Sequence, residues 1–248
     1  MQYVSTRGTA PVLGFTDALL AGLATDGGLY VPEVWPQMSP ETIRGLFGRP
    51  YWEVAVEVIR PFVAGEISDA DLGRMASDAY ATFRHPAVVP LRQSGPSQFV
   101  LELFHGPTLA FKDLAMQLVA RLMDHVLQVR GERTTIVVAT SGDTGGAAVE
   151  AFRGRSQVDV VVLFPHGRIS DVQRLMMTTA PDAMIEASSR TTVTNGTAAF
   201  RSAWRTTTRH ASAPRARAAR TKGRASTSRM LPRRYRDQAA ACTTASAS

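Results

Sequence analysis

Two hydrophobic periodicities run along this chain, and both stop near residue 187. In the first 83 residues, apolar positions recur at helical spacing between glycine and proline breaks. Phe15 to Leu23 reads as a helix, with Thr16 or Asp17 as its cap and Gly22 near its end. Asp26-Gly27-Gly28-Leu29-Tyr30-Val31-Pro32 reads as a tight turn entering an extended, proline-closed piece. Tyr51 to Phe62 puts Trp52, Val56 and Ile59 on one helical face, and Ser68 to Asp71 opens another helix running to about Phe83. Pro86 and Pro90 then end helical structure.

From Gln98 the pattern alternates between strand and helix. Gln98 to Phe104 is apolar enough for a strand. Asp113 to Val129 is a predicted helix whose apolar residues at 114, 118, 122 and 126, and at 115, 119, 123 and 127, make one broad buried stripe closed by Gly131. Thr134 to Thr140 and Val158 to Pro165 read as buried strands flanking a small-residue helix, Gly145 to Phe152. Strand, helix and strand with short links predict a βαβ unit and a parallel sheet. Ser170-Asp171-Val172-Gln173 has the form of a capping box opening a further helix, and Ala183 to Ala187 begins another strand. The expected class is α/β, divided as 1–83, 84–187 and 188–248.

Composition changes the picture only in the last part. The 248 residues carry a net charge of +7, but residues 1–187 contribute −5 and residues 188–248 contribute +12. In that last stretch Arg, Ala, Ser and Thr fill 45 of 61 positions, so it holds too little apolar surface to offset chain entropy. It is expected to be disordered. Its basic residues raise a second class of function, non-specific nucleic-acid binding, although its aromatics are few: Phe200, Trp204 and Tyr235. The single cysteine, Cys242, excludes an intrachain disulfide framework and a cysteine-based metal site. The N-terminus lacks the features of a signal peptide, and the longest apolar run, Val160 to Pro165, is too short to span a bilayer. The expectation is a cytoplasmic protein without membrane partners.

The candidate chemistry lies at two places. Lys112 stands among Leu109, Ala110, Phe111 and Leu114, surroundings that would desolvate an amine and free it to attack a carbonyl. The alternative is a surface lysine ahead of Asp113 acting as a helix cap. Ser141-Gly142-Asp143-Thr144-Gly145 leaves a strand and enters a helix, where free N–H groups and the helix dipole suit a carboxylate or phosphate. It also reads as a glycine turn that only closes the link. His105 receives no chemical role. Both places project toward one edge of the expected sheet, where open parallel sheets bind ligands.

Leu103-Phe104-His105-Gly106-Pro107-Thr108-Leu109-Ala110-Phe111-Lys112-Asp113 resembles the cofactor-lysine segment of threonine synthases, within the serine/threonine dehydratase group of pyridoxal phosphate enzymes. So do Ala139 to Gly145, Phe164 to Arg174, Tyr3 to Gly8 and Asp26 to Glu33, in the same order over about residues 1–186. The resemblance implies conversion of O-phospho-L-homoserine and water to L-threonine and phosphate. It implies that Lys112 holds pyridoxal 5'-phosphate and moves protons at the substrate's Cα and Cβ. It puts Asp143 where related lyases have an asparagine facing the cofactor's ring hydroxyl. Ser141, Gly142 and Thr144 would then receive the substrate's carboxylate or phosphate. A serine or threonine dehydratase is the close variant, and the two N-terminal motifs argue against it.

The family's later glycine-rich loop has no counterpart here, Asn195-Gly196-Thr197 being too short and isolated. We therefore read the fold as an incomplete pyridoxal phosphate lyase, poorly soluble and with little activity. Residues after about 187 read as the out-of-frame translation of a GC-rich gene. Sequencing the locus is expected to reveal the glycine-rich loop in an alternative frame; a clean single-frame read without it would sink this reading.

Overall fold

In the computed structural model, a hydrogen-bond network around one carboxylate organises the first strands. β1 (Tyr3–Ser5) pairs antiparallel with β2 (Tyr30–Pro32), Tyr3 opposite Pro32. Asp26, in the turn before β2, accepts hydrogen bonds from Ser5 Oγ at 2.7 Å, Gly28 N–H at 2.9 Å and the N–H groups of Thr9 and Ala10, both at 3.0 Å. The hydroxyl of Ser5 foremost, with the N–H groups of Gly28 and Thr9, holds its carboxyl far below the usual carboxylate range. The structure describes residues 1–165, 168–179 and 185–188. The disorder expected over 188–248, apart from Ser188 itself, and the His166-Gly167 pair of the Phe164 to Arg174 motif lie outside them.

α1 (Phe15–Ala21) forms where expected, but neither Thr16 nor Asp17 caps it. Its cap residue is Gly14, and the first N–H groups are taken by Glu66, whose carboxylate accepts from Phe15 N–H at 2.7 Å and Thr16 N–H at 3.0 Å. A cap supplied from fifty residues away leaves no local signature. Asp17 instead pairs with Arg130 at 2.7 Å. A short helix, α2 (Pro40–Arg44), precedes α3 (Tyr51–Val63) and α4 (Asp69–Tyr80). Ser68 caps α4 as its sequence implies, and the helix stops at Tyr80 rather than Phe83.

The strand expected at 98–104 is shorter and differently placed. β3 (Leu91–Gly95) and β4 (Gln98–Leu101) form their own antiparallel ribbon, separate from the parallel sheet. Leu91, Phe99, Val100 and Leu101 are more than half exposed on it. An apolar run could not distinguish a ribbon strand from a sheet strand.

α5 (Asp113–Arg130) then leads through Gly131, left-handed at φ 65°, into β5 (Thr134–Ala139), α6 (Asp143–Phe152) and β6 (Val158–Leu163). β5 and β6 pair in parallel from Thr134 opposite Val158 to Ala139 opposite Leu163, the expected βαβ unit. α7 (Asp171–Thr178) opens on the full capping box of Ser170 and Gln173, and β7 (Ile185–Ser188) lies beside β6. β6 is buried, but β5 is not: it is the outer strand of the described sheet, and Val137 is 43% exposed.

The broad stripe expected on α5 resolves into two faces. Leu118, Leu122 and Val126 enter a core with Val56, Val63, Leu72 and Met75 from α3 and α4. Ala120 and Leu127 enter a second core with Val149, Phe152, Val160, Val162 and Met177. Ala115, assigned to the stripe, is exposed, because two neighbours at an angle bury different arcs of the helix. Met1–Ala187 forms one compact unit around these cores. No helix among the described residues is long and apolar enough to cross a membrane.

Asp26 generates a pH prediction. Its folded pKa is depressed, so its stabilisation is present above the unfolded value of about 4 and is lost as pH falls below it. Asp26→Asn is expected to melt lower than wild type at pH 7, and the gap should close on acidification toward pH about 2. Melting curves across that range check it; a gap independent of pH would contradict it.

Candidate active site

Gly106 to Asp113 folds into a tight loop held by its last residue. Asp113 is fully buried at the first turn of α5, where Oδ2 accepts from Thr108 N–H at 2.8 Å and Oδ1 accepts from Thr108 Oγ1 at 2.7 Å. Burial pushes its carboxyl pKa up, against the opposing pull of the Thr108 bonds. Gly106 packs so tightly under it that a Cβ there would meet the Asp113 side chain at 2.5 Å. Between them Leu109 is left-handed, with φ 63°, a conformation that costs a side-chain-bearing residue about 1–2 kcal/mol. Thus Asp113 is not the cap of α5; that position is Lys112, with Asp113 bracing the strained loop before it.

Lys112 itself is half-buried. Its Nζ lies 4.2 Å from the centroid of the Phe111 ring, a cation–π contact. The apolar wall expected around it is open, with Phe111 60% and Leu109 49% exposed. Phe111 shields one side of the amine, and the rest remains accessible to solvent.

The Ser141–Gly145 turn starts α6. Thr140 Oγ1 accepts from Gly142 N–H at 2.9 Å and Gly145 N–H at 3.2 Å, so two of the N–H groups expected to face a ligand are already bonded within the turn. The N–H groups of Asp143 and Thr144 have no side-chain partner among the described residues. Ser141 and Asp143 are exposed, while Gly142 is buried. Asp143 Oδ1 accepts from Gln173 Nε2 at 2.7 Å.

Thr108 and Ala110 of the lysine loop line one open recess with Gly142, Asp143, Gln173 and Met176. The two motifs therefore meet as expected at the carboxyl end of β5. Lys112, Ser141 and Thr144 stand outside this lining. Three contributors were missed from sequence: Asp113, Thr140 and Gln173. Only Gln173 carried a signal, as the third helical residue of the capping box, and that signal speaks of helix initiation. His105 donates its Nε2–H to Glu102 Oε2 at 2.7 Å and packs on His85 and Phe104, a structural placement.

Comparison with known proteins places this geometry. Residues 2–80 match the family described as threonine synthase N terminus. The threonine synthase of Pseudomonas aeruginosa is 58% identical over 179 residues, covering 72% of this chain and 38% of that protein. Over that shared part the chain is similar to the N-terminal portion of threonine synthases. Among solved structures, the pyridoxal phosphate-bound threonine synthase of Brucella melitensis superposes with a TM-score of 0.73 at 63% identity, over 75% of this chain and 40% of that one. The Escherichia coli enzyme superposes with a TM-score of 0.65 at 32% identity, over 75% and 42%. The mixed α/β fold with its parallel βαβ unit is the one these threonine synthases have, and this chain spans about two fifths of their length.

The Asp113 brace is testable by denaturation. Asp113→Ala leaves the N–H and hydroxyl of Thr108 without their acceptor and is expected to cost about 1–3 kcal/mol. Asp113→Asn should cost less, since its amide can accept from Thr108 N–H and donate to Thr108 Oγ1. Equal losses in the two variants would refute the brace.

Proposed function

We propose that this chain is the front part of a pyridoxal phosphate-dependent threonine synthase, whose reaction turns O-phospho-L-homoserine and water into L-threonine and phosphate. The observation that carries the reading is the recess that joins the loop of Lys112 to the turn of Asp143. We read residues 1–83 as the family's N-terminal segment ahead of the cofactor-binding part, 84–187, although the two share one core and pack as one compact unit rather than as separate ones. The family match ending at residue 80 supports that division. It also favours a synthase over a dehydratase of the same group. We infer a cytoplasmic site of action.

The donor set fits the cofactor where it can be tested. A primary amine with one apolar face stands on the loop whose Thr108 and Ala110 line a small recess, and that recess presents a carboxylate. The first-turn N–H groups of Asp143 and Thr144 suit an anion at a helix N-terminus. Bound there, pyridoxal phosphate supplies an electron sink for the negative charge left at Cα when a proton is removed.

Each residue then has a task within its reach. Lys112 would hold the cofactor's aldehyde carbon through Nζ. When not holding the cofactor, Nζ would be the base that takes the proton from Cα and would serve proton transfer at Cβ. Asp143 would face the ring hydroxyl. Thr144 N–H and the hydroxyls of Ser141 and Thr144 would receive the substrate's carboxylate or phosphate, with buried Gly142 allowing close backbone approach.

The experiment uses the full chain mixed with pyridoxal phosphate. Wild type is expected to develop the visible absorbance of a lysine adduct, and Lys112→Ala to lose it. The same absorbance in both proteins would remove Lys112 from the proposal.

A further inference from the structure

We propose that Gln173 is a positioning residue for Asp143, holding that carboxylate at the recess by an amide committed at both ends. The proposal rests on the reading of the recess as a cofactor site. Gln173 Nε2 donates to Asp143 Oδ1 at 2.7 Å. Its Oε1 accepts from Ser170 N–H at 3.2 Å and from Ser170 Oγ at 3.0 Å. Ser170 Oγ in turn accepts from Gln173 N–H at 3.3 Å, completing the capping box of α7.

This arrangement determines which way the amide faces. Turned over, it would set its NH₂ against the Ser170 N–H and its oxygen against a carboxylate, losing both bonds. The capping box therefore delivers the N–H₂ group to Asp143. The space it crosses is kept clear by Gly142, where a Cβ would collide with the Gln173 amide and where φ is 145°. Gly142, Asp143 and Gln173 all line the recess. An exposed aspartate at the start of a helix would otherwise turn toward nearby backbone N–H groups. The bond from α7 directs its carboxylate along the recess instead.

Capping and positioning make different demands on residue 173. A capping box works equally with glutamate at this position. Positioning does not, because glutamate offers no donor and sets a second negative charge against Asp143. Gln173→Glu therefore keeps the start of α7 and removes only the clamp. Asp143→Asn made on that background returns a donor to the pair from the other side.

The test uses the full chain as wild type, the two single variants and the double variant. Pyridoxal phosphate is titrated against each, followed by the visible absorbance of the lysine adduct, and melting is measured without it. Gln173→Glu is expected to weaken uptake about tenfold, the scale of a lost charge-assisted hydrogen bond. The double variant should recover most of that loss, and melting should show coupling between the two positions. Uptake by Gln173→Glu equal to wild type, or a double variant with no recovery, overturns the role. Melting changes that simply add would remove the bond itself. A wild-type chain that takes up no pyridoxal phosphate overturns the proposed function and this role together, which separates that failure from the others.

Discussion

The structure depends on α5 being buried on two sides. Its Leu118, Leu122 and Val126 face seals the helical core built by α3 and α4, and its Ala120 and Leu127 face seals the core under β6 and α6. A helix shared between two cores transmits position from one to the other, because close-packed interiors deform little. The polar residues buried along it serve the same end. Asp124 accepts from the Gln157 N–H at 3.1 Å and from Gln128 Nε2 at 2.8 Å, tying α5 to the approach of β6. At its far end Arg130 reaches Asp17 in α1.

The candidate site hangs from the two ends of this frame. The lysine loop is the lead into α5, and the Ser-Gly-Asp-Thr-Gly turn is the lead into α6, so fixing α5 against α6 fixes the loops against each other. Inside each loop one side-chain acceptor does the local work. Asp113 binds Thr108 twice, and Thr140 Oγ1 binds two N–H groups of the turn. These bonds keep Leu109 in its left-handed conformation and hold Gly142 open for the side chain that crosses it. The anion-binding capacity once expected of the whole turn is thereby narrowed to the N–H groups of Asp143 and Thr144.

Much of this was legible before any coordinates. Helix α4 could be read from Ser68 and its periodicity, α7 from its capping box, and the βαβ unit from alternating apolar runs, because each of these signals is local. The failures have two causes. The cap of α1 comes from Glu66 and β5 is half-exposed because it is the outer described strand, both decided by parts distant in the chain. The strand at Gln98 instead pairs with its immediate neighbour in a local hairpin, which an apolar run does not distinguish from a sheet strand. At the site, Lys112 and Asp143 stood out as motif residues, whereas Asp113, Thr140 and Gln173 matter through what they touch.

By itself the sequence determined the order and type of the elements, the acidic body and basic end, and the motifs that mark Lys112 and the turn at Asp143. Propensity, capping and periodicity act over a few residues and leave their mark in the chain. Only the tertiary structure decided that Asp113 braces the lysine loop, that Lys112 lies against Phe111, and that Gln173 reaches Asp143 over Gly142. The first two rest on the exact backbone path of a short loop, which residue types alone do not specify, and the third on how α6 and α7 pack, which joins residues whose separation in sequence carries no record of their contact.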